Sequence, residues 1–149
     1  LAVQPALAWD FTLADLAGER FVTLSRIQGP VLVNFWGRDC PPCVAELPRL
    51  QAFAQANPQW TVLLVSTDGP LDAQRFLAQR GITLKALRGG LAVGGLMRAA
   101  GNRWAGLPYS AAVQGGALCR RHLGELHEAS LQALTQTACD ATQIHGIPL

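Results

Sequence analysis

Val31-Leu32-Val33-Asn34-Phe35-Trp36-Gly37-Arg38-Asp39-Cys40-Pro41-Pro42-Cys43 is the stretch on which the reading of this chain turns. Val31 to Phe35 is apolar on both faces until Asn34, the pattern of a central strand covered by helices on either side. From Pro41 to about Ala56, Val44, Leu47, Leu50 and Phe53 recur every three positions, one stripe of an amphipathic helix. Pro41 and Pro42 fall in its first turn, where a missing N–H is no loss, whereas Pro48 lies inside it and is expected to kink it. Cys40 and Cys43 therefore stand where a buried strand gives way to a helix. Unpaired N–H groups and the helix dipole favour an anion there, so Cys40 is the expected thiolate nucleophile. Cys43, one turn further in and less exposed, is expected to attack the resulting mixed disulfide and release the reduced partner.

Outward from this stretch, short β-like runs alternate with longer helical ones, as a mixed sheet flanked by helices requires. Phe11 to Leu13 and Phe21 to Ser25, joined across Ala17-Gly18-Glu19, read as a leading hairpin, and Gly29-Pro30 ends it. Trp60 to Ser66 reads as a second buried strand, followed by a helix from Leu71 to about Arg80 that Gly81 stops. Between Thr83 and Gly106 the signal weakens, with a short strand expected over Ile82 to Ala86 and a helix over Leu91 to Ala100 softened by Gly94 and Gly95. Tyr109 to Val113 and Ala117 to Leu123 flank Gln114-Gly115-Gly116 as an antiparallel hairpin, and a last helix is expected from about Glu128 to Cys139. No repeat or linker divides the 149 residues, so residues 1–149 read as a single domain.

Composition narrows the function. Half of the residues are apolar, and 12 Lys+Arg against 10 Asp+Glu leave a net charge of +2, too weak a field to make nucleic acid the default partner. The longest apolar runs fall far short of the roughly 20 residues needed to cross a bilayer. Any signal peptide or membrane anchor is expected to lie outside the sequence.

Two other uses of the cysteine pair compete with redox exchange. Cys119-Arg120-Arg121-His122 supplies a C-x-x-H that could complete a Cys3His zinc set with Cys40 and Cys43, although such sites belong to loop-rich folds rather than to a chain that fills its own core. An inert structural bridge between Cys40 and Cys43 would close too short a loop to remove much chain entropy. Cys119 and Cys139 remain. About six strand residues at ~3.3 Å and about twelve helical residues at ~1.5 Å span similar lengths, so an antiparallel strand and helix would bring them together as a structural disulfide; two independent buried thiols are the alternative. A bridge there would favour an oxidising compartment.

With these residues in place, the chain resembles the thioredoxin superfamily, and within it the TlpA/ResA-like thiol–disulfide oxidoreductases of the bacterial envelope. The resemblance runs through the leading hairpin Phe11 to Leu24, Val33-Asn34-Phe35-Trp36 before Cys-Pro-Pro-Cys, Glu46-Leu47-Pro48, and Gly106-Leu107-Pro108. It implies an α/β thioredoxin-like fold with an N-terminal hairpin extension. It also implies a cis-proline at Pro108 that leaves the Leu107 backbone free to pair with a polypeptide substrate. Glu46 matches an acidic residue that accepts a proton from the buried thiol of Cys43, and Trp36 an aromatic that shields the active-site turn. Asn34 stands where thioredoxin has a buried Asp, which leaves Glu46 as the substitute relay. Asp39 replaces a bulky residue; a carboxylate beside Cys40 raises the thiol pKa unless Arg38 neutralises it.

The resemblance further implies protein disulfides as substrates, a membrane electron donor that recharges the dithiol, a periplasmic location with an inner-membrane tether, a monomer, and no cofactor or metal. The competing classes are a redox-inert binding module on the same fold, the zinc protein above, and a peroxiredoxin. The last would need a hydroxyl-bearing residue three positions before its reactive cysteine, where Gly37 stands.

Overall fold

The computed structural model describes residues 7–136. In chain order the elements are β1 (Leu7–Ala8), β2 (Thr12–Ala14), β3 (Phe21–Thr23), β4 (Val31–Trp36), α1 (Pro41–Ala56), β5 (Thr61–Ser66), α2 (Pro70–Gln79), β6 (Lys85–Arg88), α3 (Val93–Ala99), β7 (Tyr109–Gln114), β8 (Ala117–Leu123) and α4 (Glu128–Thr135). Six strands form one sheet in the order β1-β8-β7-β4-β5-β6, and β2 pairs with β3 as a separate hairpin. β4 runs parallel to β5 and antiparallel to β7, so the sheet is mixed and β4 lies at its centre.

Alternation along the strands sorts the core into two layers. Leu32, Trp36, Val62 and Leu64 face Leu47 and Leu50 of α1, Leu77 of α2 and Leu131 of α4. Val31, Val33, Phe35, Leu63 and Val65 face the other way, against Met97 of α3 and against Trp9, Phe11 and Leu24 of the N-terminal segment. Every residue of β4 is buried, as a strand covered on both faces must be.

Most of the expected elements are found within a residue or two of their expected ends. α1 runs through Pro48 as one helix, with Pro48 exposed. The stop at Gly81 is a left-handed residue, φ +68°. The weak stretch is where the reading shifts: the strand lies at Lys85–Arg88 rather than Ile82–Ala86, and the helix over Val93–Ala99 is preceded by a 3-10 turn at Gly90–Ala92. Arg88 explains the shift. Its guanidinium donates to the carbonyls of Asp15 and Leu16 at 3.1–3.2 Å and so fastens the β2–β3 hairpin to the edge of the sheet. Charged residues at both ends of an edge strand disguise it in sequence. The C-terminal part of the last expected helix, with Cys139, lies outside the described residues.

Candidate active site

α1 begins at the C-terminal end of β4, and Cys40 is its N-cap. Two of the helix's first N–H groups are missing because Pro41 and Pro42 occupy its first two positions. The next is Cys43 N–H, which points at Cys40 Sγ at 3.3 Å, while Val44 N–H donates to the Cys40 carbonyl at 3.1 Å. A sulfur thus occupies the place of the capping oxygen, and a thiolate there would keep the same donor. Cys40 and Cys43 form a disulfide with 5.2 Å between their Cα atoms. Cys40 is half-buried and Cys43 wholly buried, an asymmetry that lets only one of the two sulfurs meet a large partner.

One turn below Cys43 on the same helix, Glu46 is wholly buried. Its Oε1 accepts from Asn34 Nδ2 at 2.6 Å and its Oε2 from the backbone N–H of Leu126 at 2.7 Å. Asn34 Nδ2 also donates to Ser110 Oγ on β7 at 2.9 Å. Burial pushes the Glu46 carboxyl up to about 7, helped by the nearby charge of Glu125; the two hydrogen bonds and Arg49 oppose the rise without cancelling it. A carboxyl poised there can take up and give back a proton near neutrality. Arg49, the next α1 residue on that face, donates to the carbonyl of Leu126 and lies 3.9 Å from Glu125. Both backbone groups of Leu126 are therefore held by side chains of α1.

The Leu107–Pro108 peptide bond is cis. Leu107 is half-buried and packs near the active-site turn: a Cβ on Gly37 would lie 3.6 Å from Leu107 Cδ1, and only 2.8 Å from Thr67 Oγ1. A larger side chain at position 37 would therefore require the Thr67 side chain to shift. The exposed Trp104 stands three residues before Leu107 in the same loop.

Trp36 and Asp39 sit in opposite surroundings. Trp36 is wholly buried, its ring centroid 5.8 Å from that of Phe76, so contact with a substrate is closed to it; the strand's alternation turns it inward beneath the turn. Arg38 does not neutralise Asp39: its guanidinium lies 3.8 Å from Asp68 and 3.5 Å from Asp72, and its N–H donates to Asp68 Oδ2. Asp39 is exposed beside Cys40. Replacing it with Asn is expected to lower the pKa of the reduced Cys40 thiol, since a carboxylate at a helix tip opposes a second negative charge beside it. Ultraviolet thiolate titration reads this directly, and no change or a rise would remove the argument.

The remaining cysteine reading divides. Cys119 lies on β8 in a cleft lined also by Leu118, His122 and Leu134, which includes neither Cys40 nor Cys43. Among the described residues no group of three His, Cys, Asp or Glu side chains could hold a metal, so the Cys3His set is not assembled. The Cys119–Cys139 pairing lies outside the described residues. Sequence reasoning missed Arg49, Ser110 and Leu126. Arg49 was legible as the i+3 neighbour of Glu46, but a backbone partner such as Leu126 leaves no side-chain signature.

The model of the AhpC/TSA family matches residues 6–93, more than half of the sequence. The chain belongs to the AhpC/TSA family. Within that setting it is 35% identical over 80 residues to the thiol-disulfide oxidoreductase ResA of Halalkalibacterium halodurans, a match covering 51% of this chain and 45% of that protein. It is 37% identical over 65 residues to the sporulation thiol-disulfide oxidoreductase A of Bacillus subtilis, covering 44% of this chain and 39% of the relative. The chain thus matches less than half the length of these curated relatives. The exposed lipoprotein thioredoxin Etrx1 of Streptococcus pneumoniae superposes with a TM-score of 0.70 at 25% identity, over 85% of this chain and 98% of that one. This member of the AhpC/TSA family has a thioredoxin-like fold.

Proposed function

We propose that this chain is a thiol–disulfide oxidoreductase that reduces disulfides of other proteins in the bacterial envelope through Cys40 and Cys43. The observation that carries the reading is the asymmetric pair itself: a half-exposed sulfur capping a helix, bridged to a wholly buried one. In the dithiol form the Cys40 thiolate attacks one sulfur of the substrate disulfide, forming a Cys40–substrate bond and expelling the first substrate sulfur, which takes up a proton. Glu46 then accepts the Cys43 proton. The Cys43 thiolate attacks Cys40 Sγ, the intramolecular disulfide closes, and the second substrate sulfur leaves with a proton. Two electrons and two protons pass to the substrate. Leu107, whose side chain reaches the turn at Gly37, would offer its backbone to the substrate chain.

A reductant must return the dithiol, and a membrane electron donor fits the envelope setting. Among the described residues no helix is long and apolar enough to cross a membrane, so an inner-membrane tether would have to come from elsewhere in the protein. Cytochrome c maturation or a related thiol-maintenance task is the role that the family resemblance favours. A peroxide-reducing role lacks the hydroxyl it needs at position 37, where Gly37 stands.

The equilibrium potential of the Cys40–Cys43 couple tests the direction. A strongly reducing value in dithiothreitol buffer, with insulin reduced by the dithiol form, is expected. A potential in the range of disulfide donors would reverse the assignment to an oxidase.

A further inference from the structure

The loop that presents Leu107 is built around a buried amide. Asn102 is 3% exposed, and all four of its polar groups are engaged. Its backbone N–H donates to the Met97 carbonyl at the end of α3 at 2.9 Å, and its carbonyl accepts from Ala105 N–H at 3.1 Å. Its side chain grips Gly106 from both sides: Nδ2 donates to the Gly106 carbonyl at 2.8 Å, and Oδ1 accepts from Gly106 N–H at 3.2 Å. Nδ2 also lies 3.6 Å from Met97 Sδ. Between these contacts Ala105 adopts φ +53°, a conformation that an alanine holds only where its surroundings impose it.

The consequence falls on Leu107. On one side Gly106 is gripped by Asn102; on the other, the Pro108 carbonyl accepts from Gly124 N–H at 2.8 Å. The N–H and C=O of Leu107 itself take part in none of the loop hydrogen bonds among the described residues. A backbone unit pinned at both ends and unpaired in the middle is preorganised to pair with an extended segment from another chain, and pinning removes the ordering penalty on binding.

We propose that Asn102 is a positioning residue for polypeptide substrates: its carboxamide holds Gly106 so that the adjoining Leu107 backbone is set to pair with the chain on either side of a substrate disulfide. This rests on the oxidoreductase reading above and adds to it a residue whose influence is confined to substrates with a peptide backbone. A small aromatic disulfide reaches Cys40 without backbone pairing and is indifferent to the grip.

The test compares insulin with 5,5′-dithiobis(2-nitrobenzoate) as electron acceptors for the reduced full chain, in wild type, Asn102→Ala and Asn102→Asp. Asn102→Asp fills the same volume but has no N–H to give the Gly106 carbonyl, so it removes half of the grip without leaving a cavity. Both variants are expected to raise the KM for insulin about tenfold, because a loop displaced by a fraction of an ångström no longer meets the substrate backbone. The rate constant for the small disulfide is expected to stay within about twofold, and the Cys40–Cys43 potential to be unchanged. An insulin KM equal to wild type in Asn102→Asp overturns the proposal. So does a fall in the same proportion against both acceptors, which would mean that Asn102 serves the fold alone. A wild-type chain inert towards both would instead overturn the oxidoreductase reading, and this inference with it.

Discussion

Cys43→Ser is expected to arrest the protein as a stable Cys40–substrate adduct, and Cys40→Ser to abolish disulfide reduction altogether. The two outcomes follow from one asymmetry. Cys43 is wholly buried, so in Cys40→Ser the surviving thiol cannot reach a protein disulfide and turnover falls to the uncatalysed background. In Cys43→Ser the half-exposed Cys40 still attacks, but the group that would expel the substrate is gone. Non-denaturing mass spectrometry after mixing with oxidised insulin should show the adduct in Cys43→Ser alone. Neither change should unfold the chain: a loop closed across three residue spacings removes chain entropy worth only about 2 kcal/mol. Residual turnover in Cys40→Ser, or adducts of equal yield in both variants, would mean that the sulfurs do not divide the work as their burial implies.

The parts of this site that were legible in the sequence are those fixed by local chemistry. An apolar strand ending in a Pro-Pro helix start needs only Val31 to Cys43 to be read, because strand burial and helix initiation are both written in consecutive residues. The hairpin turn at Gly115-Gly116 is read for the same reason, since both residues take positive φ. Asn102 was not legible. It lies in the stretch between Thr83 and Gly106 where glycines blur periodicity, and its partner is the backbone of a glycine. β6 was misplaced because its end residues Lys85 and Arg88 are charged, one of them turned to fasten the hairpin. β1 was missed because two residues beside β8 carry no pattern. Glu46 is intermediate: its spacing from Cys43 is visible, but its burial depends on Leu126, 80 residues away.

That burial sets fold and function against each other at one carboxyl. In the folded chain Glu46 is pushed up to about 7, against 4.5 for the ordinary side chain. Between those values the folded state keeps a proton that the unfolded chain has released, so stability declines as pH rises across the window. Below about 4.5 both states are protonated and the penalty is absent; above about 7 both are ionised and it stands in full, on the order of 3 kcal/mol. Glu46→Gln removes the charge. Its amide also finds a partner, because Asn34 Oδ1, buried and without a hydrogen bond, can turn to accept it. The variant should therefore unfold at a higher temperature than wild type at pH 8, with the difference shrinking as pH falls towards 4.5.

Its chemistry should change in the opposite direction. With the proposed proton acceptor of Cys43 removed, closure of the mixed disulfide is expected to slow about 10²-fold at pH 8, and the wild-type rise in closure rate centred near pH 7 should flatten. Stopped-flow fluorescence of the second step separates this from attack by Cys40, which Glu46→Gln should leave alone. A variant that loses stability at every pH would show Glu46 to be a structural brace. One that keeps the wild-type pH profile would place the proton acceptor elsewhere. The expected pairing of a stabler chain with a slower second step needs a carboxylate kept in the core at the expense of stability, and proton transfer from Cys43 is the use that this site offers for it.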